Sequence, residues 1–278
     1  MGTGSALRAA MPATAPEVSS LSFERITIET RDHVTLIGLN RPTKRNAVDI
    51  AMYTELAQAY GAYERDADAR CALLFAHGEH FTGGIELPQW LPYFRDGRMP
   101  PLPEGAIDPL LRTRSLSKPL VIAVRGWCLT IGIEFLLAAD IRLAAHDTRF
   151  AQIEVKRGIF PIGGATVRLP RELGWGNAMR ILLTGDEFGA EQALGWGMVQ
   201  ETAPADEVLD RARTLAQRIA RQSPVGIRAT LASARLARDG GDAAAYRPMM
   251  QQMQECVASD DAIEGLNAFL ERREPDFR

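Results

Sequence analysis

Two short, uninterrupted apolar runs, residues 71–76 and 120–124, constrain this chain most, with a third expected strand at 141–144 broken only by Arg142. Runs of four to six apolar residues with no polar alternation read as strands buried on both faces. Helical segments and glycine turns lie between and after them, with Gly83-Gly84 after the first and residues 126–139 reading as a turn that feeds a helix after the second. Further helices are expected around 175–183 and 190–195. This strand-then-helix rhythm predicts α/β layering. Ahead of it, residues 23–40 form an expected hairpin: Ile26 and Ile28 alternate with polar neighbours, Arg31-Asp32-His33 turns the chain, and Val34, Leu36 and Gly38 alternate again. Asp49 is placed to cap a helix with Tyr53, Leu56, Ala57 and Tyr60 on one face.

From Asp206 the pattern becomes helical throughout. Val208, Ala212, Leu215 and Ile219 share a stripe, and helices at 225–238, 242–259 and 260–273 follow, jointed at Ser223-Pro224 and Gly240-Gly241. The expected organisation is a disordered leader at 1–20, rich in Ala, Pro, Ser and Thr, an α/β core at 21–205, and a helical region at 206–278. Residues 88–111 stand apart, with six prolines among Trp90, Leu91, Tyr93 and Phe94. That segment is either a packed surface insertion or a wall for an apolar substrate.

Composition narrows the partners. A net charge of −3 supplies no basic field for nucleic acid, so an anionic ligand needs local cations. Three widely spaced cysteines, with no CxxC pair, fit a reducing compartment, and no secretory signal is expected; the expected location is cytoplasmic. No apolar run reaches the roughly 20 residues of a membrane span. His77 and His80 lack a third ligand and are expected to be solvated loop residues, so no metal site is expected. Cys128, in an apolar run without a basic neighbour, reads as a buried structural thiol.

Two acids carry the chemical signal. Glu134 sits inside Ile131-Gly132-Ile133-Glu134-Phe135-Leu136-Leu137, and Glu154 inside Phe150-Ala151-Gln152-Ile153-Glu154-Val155. A carboxylate buried there either pairs with an arginine such as Arg125, Arg142 or Arg157, or has its pKa raised into the range useful for proton transfer. The glycine turns at Thr82-Gly83-Gly84 and at 126–132 either permit tight turns or aim backbone N–H groups at one point, where they can hold a developing oxyanion.

Six segments in order resemble the enoyl-CoA hydratase/isomerase, or crotonase, superfamily. They are residues 39–47, His80-Phe81-Thr82-Gly83-Gly84-Ile85-Glu86-Leu87, residues 118–126, Leu182-Leu183-Thr184-Gly185-Asp186, residues 193–199, and the ending at 269–277. The resemblance implies a spiral of ββα repeats with a C-terminal helical trimerisation region, and a homotrimer or dimer of trimers. It implies an acyl-CoA thioester as substrate, with CoA as part of the substrate and no separate cofactor. It implies oxyanion N–H groups at Gly83 and Ile131 and catalytic acids at Glu134 and Glu154, with Glu154 the main proton donor and acceptor and Glu134 orienting water. Lys44, Arg45, Ile85, Trp90 and Ile162 are the implied substrate-binding residues, and Arg272 and Arg273 would reach a neighbouring subunit's CoA phosphate.

The chain departs from the hydratase pattern at three places. Thr130-Ile131-Gly132 replaces a glycine-rich stretch, Ile162 stands where hydratases usually carry glycine, and Glu86 replaces an aspartate. The expected reaction is reversible syn addition of water to a trans-2-enoyl-CoA. Double-bond isomerisation in the same fold, and a non-catalytic acyl-CoA-binding oligomer, are the alternatives.

Overall fold

The structure, a computed structural model, describes residues 23–277; the leader expected at 1–20 lies outside them. In chain order the elements are β1 (Ile26–Arg31), β2 (Val34–Leu39), α1 (Ile50–Arg65), β3 (Cys71–Ala76), α2 (Leu87–Arg95), β4 (Leu120–Val124), β5 (Trp127–Leu129), α3 (Ile131–Ala138), β6 (Ile141–Ala145) and β7 (Arg149–Ala151). A 3-10 turn at Glu154–Arg157 follows, then α4 (Ala165–Leu173), α5 (Trp175–Thr184), β8 (Phe188–Gly189), α6 (Ala190–Gly195), β9 (Glu201–Ala203), α7 (Val208–Ala220), α8 (Pro224–Gly240), α9 (Asp242–Val257) and α10 (Asp260–Glu271).

The apolar runs become β3, β4 and β6 at the centre of a six-stranded sheet of order β1-β2-β3-β4-β6-β9. Every pairing in it is parallel except the β1–β2 hairpin. That hairpin turns through Asp32 and His33, both at positive φ, as a two-residue turn between strands requires. A second, three-stranded sheet of order β5-β7-β8 carries the segments nearest the site.

Both faces of the larger sheet are covered. On one, Met52, Leu56 and Tyr60 of α1 pack with Ile37, Leu39, Leu74 and Ile122. On the other, Val208, Ala212, Ala216 and Ala220 of α7 pack with Val34, Leu73, Val121 and Leu143. One expectation changes as a result. β2 does not alternate core and solvent: it lies between β1 and β3 with a core on each side, so Val34, Ile37 and Leu39 are all buried. In the helical region beginning at Asp206, the first helix, α7, closes the second core.

The later helices behave differently. α8 buries no residue fully, and α9 and α10 bury only Ala245 and Ala268. Met250, Met253, Val257, Leu266, Phe269 and Leu270 are exposed along them. No helix among the described residues is long and apolar enough to cross a membrane.

Candidate active site

The site forms where the two glycine turns are stitched together. Thr82 forms a bridge with Cys128: its N–H donates to Trp127 O (2.8 Å), and its carbonyl accepts from Leu129 N (3.1 Å). Gly132, at the start of α3, packs so closely on this turn that a Cβ there would lie 2.6 Å from the Thr82 methyl. A second bridge, between Val48 and Ile85, anchors the other end of the turn. Together these contacts bring the segment at 82–85 against the N-terminus of α3.

The main-chain donors differ from the expectation at one position. The Gly83 N–H donates to Arg45 O (2.8 Å), so it is occupied and cannot serve a ligand. Ile85, two residues on, lines the cavity, and among the described residues no acceptor meets its N–H. Ile131 also lines the cavity as the first residue of α3, where helix geometry leaves its N–H without an intrahelical partner. The unoccupied main-chain N–H groups of these two turns are therefore those of Ile85 and Ile131, while the Gly83 N–H holds the turn to Arg45. The positive end of α3 adds to the field at Ile131.

Glu134 and Glu154 meet in this same cavity, whose volume is about 730 Å³. Glu134 is 4% and Glu154 7% exposed. Neither forms an ion pair among the described residues. Arg142 instead binds Glu172 (3.2 Å), Arg125 donates to Gly78 O, and Arg157 lines the cavity without an ion pair among the described residues. Glu134 Oε1 accepts from Gly163 N (2.7 Å) and Ala165 N (3.2 Å). Gly163 has to be glycine for this, since a Cβ there would sit 2.2 Å from Glu134 Oε2. Burial raises the Glu134 pKa to about 7, against the opposing pull of the Ala165 and Gly163 amides and of Arg168 and Arg112. Burial, reinforced by the Glu134 charge, raises Glu154 to about 8. Glu154 Oε1 accepts from Gln152 Nε2 (3.3 Å), while Oε2 is buried without a partner among the described residues. One cavity thus holds two carboxyls able to exchange protons near neutrality beside two free main-chain donors.

The proline-containing insertion forms the cavity wall. Leu87, Trp90 and Phe94 of α2 line it with Met99 and Leu110. Trp90 is anchored by its indole N–H to Val48 O (2.8 Å) and packs edge-on against Tyr53, with ring centroids 5.0 Å apart. Ile162 also lines the cavity and is exposed.

Other expected residues fall outside the cavity. Lys44 is exposed on the loop before α1, and Arg45 lies over the Trp127 ring at 4.5 Å. Arg272 ends α10 at positive φ, and Arg273 is paired with Glu264 and Glu271. The histidines are not simply solvated: His77 Nε2 shares a hydrogen bond with Thr27 Oγ1 (2.8 Å), and His80 stacks on Trp127. Cys128 is fully buried, and burial pushes its thiol pKa well up. The residues not anticipated from sequence are Gly163 and the Ile85 N–H. The Gly163-Gly164 pair was the available signal for the first; the second follows from a hydrogen-bond pattern that sequence does not display.

The fold and site define a class: an α/β spiral whose cavity places paired carboxyls beside main-chain donors. The enoyl-CoA hydratase/isomerase family profile matches residues 29–278, and the chain belongs to that family, with the crotonase fold. It is 35% identical over 256 residues to enoyl-CoA hydratase EchA19 of Mycobacterium tuberculosis, covering 90% of this chain and 95% of that protein. It is 30% identical to the 2,3-dehydroadipyl-CoA hydratase of Escherichia coli K12, over 92% of this chain and 99% of that protein. A crystal structure of a probable enoyl-CoA hydratase/isomerase from Mycobacterium abscessus superposes with a TM-score of 0.90 at 48% identity, covering 92% of this chain and 99% of that one.

Proposed function

We propose that the protein is an enoyl-CoA hydratase that adds water reversibly and syn across the double bond of a trans-2-enoyl-CoA. The observation that carries this reading is the burial of Glu134 and Glu154 in one cavity, with no ion pair to either among the described residues. The thioester oxygen accepts from the Ile85 and Ile131 amides, which draws electron density from the conjugated double bond and makes Cβ electrophilic. Glu134 orients a water and takes its proton as the oxygen bonds to Cβ. Glu154, protonated at neutral pH, delivers a proton to Cα. The net change is OH on Cβ and H on Cα, and the reverse sequence dehydrates the 3-hydroxyacyl-CoA. This chemistry uses no cofactor beyond the CoA of the substrate.

The relatives named as hydratases support this reaction class. The apolar wall of Leu87, Trp90, Phe94, Met99 and Leu110 suits an apolar acyl chain. Lys44 and Arg45, exposed near the Gly83 turn, are the proposed phosphate contacts on the same chain. Arg272 and Arg273 are proposed to serve a neighbouring subunit in a homotrimer or dimer of trimers. Isomerisation is the second reading, favoured by the bulk that Ile131 and Ile162 bring to the cavity where water must sit.

The test follows loss of enone absorbance with crotonyl-CoA and with a medium-chain enoyl-CoA. Wild type is expected to hydrate at least one of them. Glu134→Gln and Glu154→Gln are each expected to lower kcat/KM by about 10²–10⁴-fold with acyl-CoA binding retained. Turnover of a 3-enoyl-CoA alone would favour the isomerase. Tight acyl-CoA binding without turnover, unchanged by either Gln substitution, would favour a non-catalytic binder.

A further inference from the structure

Thr130 has φ +50° and ψ −113°, a conformation that glycine adopts freely and a β-branched residue resists. It is only 9% exposed, and among the described residues its buried hydroxyl has no hydrogen-bond partner. Backbone strain and an unmet hydroxyl therefore fall on one residue, although a glycine there would remove both. Strain of this kind persists where the surrounding structure has a use for the geometry.

The contact that Thr130 makes suggests the use. Its Oγ1 occupies the space beside Gly84 that a side chain there would need, since a Cβ on Gly84 would lie 2.6 Å from the hydroxyl. Gly84 is itself at φ +108°, so it can accept this approach only as glycine. Ile85 follows Gly84 and Ile131 follows Thr130, so the contact joins the two peptide units that carry the free donors. We propose that Thr130 is a positioning residue: its side chain, wedged against Gly84, sets the separation of the Ile85 and Ile131 amides and so the strength with which they polarise a bound thioester. The β-branched side chain is restricted in χ1 and suits a fixed spacer. This inference rests on the reading of those amides as thioester donors.

The experiment compares wild type with Thr130→Gly, Thr130→Ala and Thr130→Ser, using a conjugated arylacryloyl-CoA as the probe. Its absorption moves to the red when its carbonyl is polarised. Thr130→Gly relieves the backbone and is expected to raise Tm by roughly 2–4 °C. It is also expected to lose at least half of the red shift and to lower kcat/KM about tenfold or more. Thr130→Ala keeps the backbone restriction without the hydroxyl and is expected to lose red shift with little change in Tm. Thr130→Ser is expected to recover most of both optical shift and turnover. A full red shift in Thr130→Gly or Thr130→Ala overturns the spacer role, as does a lower Tm in Thr130→Gly with unchanged optics. If wild type binds the probe with no red shift, the amide reading itself fails; if only the variants match wild type, the Thr130 role alone is lost.

Discussion

Glu134 and Glu154 show how burial shifts the proton affinity of an ordinary carboxyl. Both pKa values stand above the ordinary carboxylate value of 4.5, at about 7 and about 8, because the charged forms lose water in the cavity. The folded chain therefore holds these protons more tightly than the unfolded chain. Their contribution to stability is fully present below the unfolded pKa and is lost as pH rises through 7 and 8. Glu154→Gln carries no charge at any pH. The variant is expected to match wild type near pH 5 and to be more stable near pH 9, by on the order of 2 kcal/mol. Urea denaturation at pH 5, 7 and 9 checks this; a difference independent of pH would contradict it. Both acids were legible in sequence, because a carboxylate inside an apolar run needs an explanation. The donor pair was half legible: Ile131 precedes Glu134 on one helix, but the occupation of the Gly83 amide by Arg45 O appears only once distant loops are packed.

Among the elements, α1 shows how local signals and tertiary contacts combine. Asp49 caps it as its sequence position implies, with Oδ1 accepting from Met52 N (2.8 Å). Oδ2 additionally receives Arg25 Nε (3.1 Å) and Arg41 Nη1 (3.2 Å), a convergence no local pattern indicates. Asp49→Ala is expected to cost about 1–3 kcal/mol, with Asp49→Asn recovering the cap portion. The chemical midpoint of unfolding measures it, and an Ala variant equal to wild type would show that the cap is dispensable. The helix buries more than the expected face, since Met52, Ala59, Gly61 and Tyr63 are also enclosed by the sheet and the insertion at 88–111. That insertion could not be assigned from sequence because its prolines obscure periodicity; its first part falls in α2, with Pro92 inside the helix, and residues 96–111 are loop. β5, β7 and β8 escaped notice because two or three residues carry no usable period.

At the scale of the whole molecule, the two cores account for the chain up to α7, while α8 to α10 leave large apolar side chains in solvent. Phe269 is 79% exposed, and Met250, Leu266 and Leu270 are exposed with it. Large apolar side chains exposed in this number on the last helices suit an association face. The proposed trimeric or hexameric assembly would cover it. Sedimentation is expected to return the mass of three or six chains for wild type, and a smaller species for the double variant Phe269→Asp, Leu270→Asp. A monomeric wild type at micromolar concentration would contradict the assembly.

Apolar runs, glycine turns and isolated acids are local in the chain, so the sequence by itself determined the layering, most helices and the two acids. The second core under α7, the identity of the free amides and the environment that raises both carboxyl pKa values were decided only by tertiary structure. Each depends on hydrogen bonds and burial between segments tens of residues apart, and neither a side chain's solvation nor the partner of a main-chain N–H is encoded by its immediate neighbours.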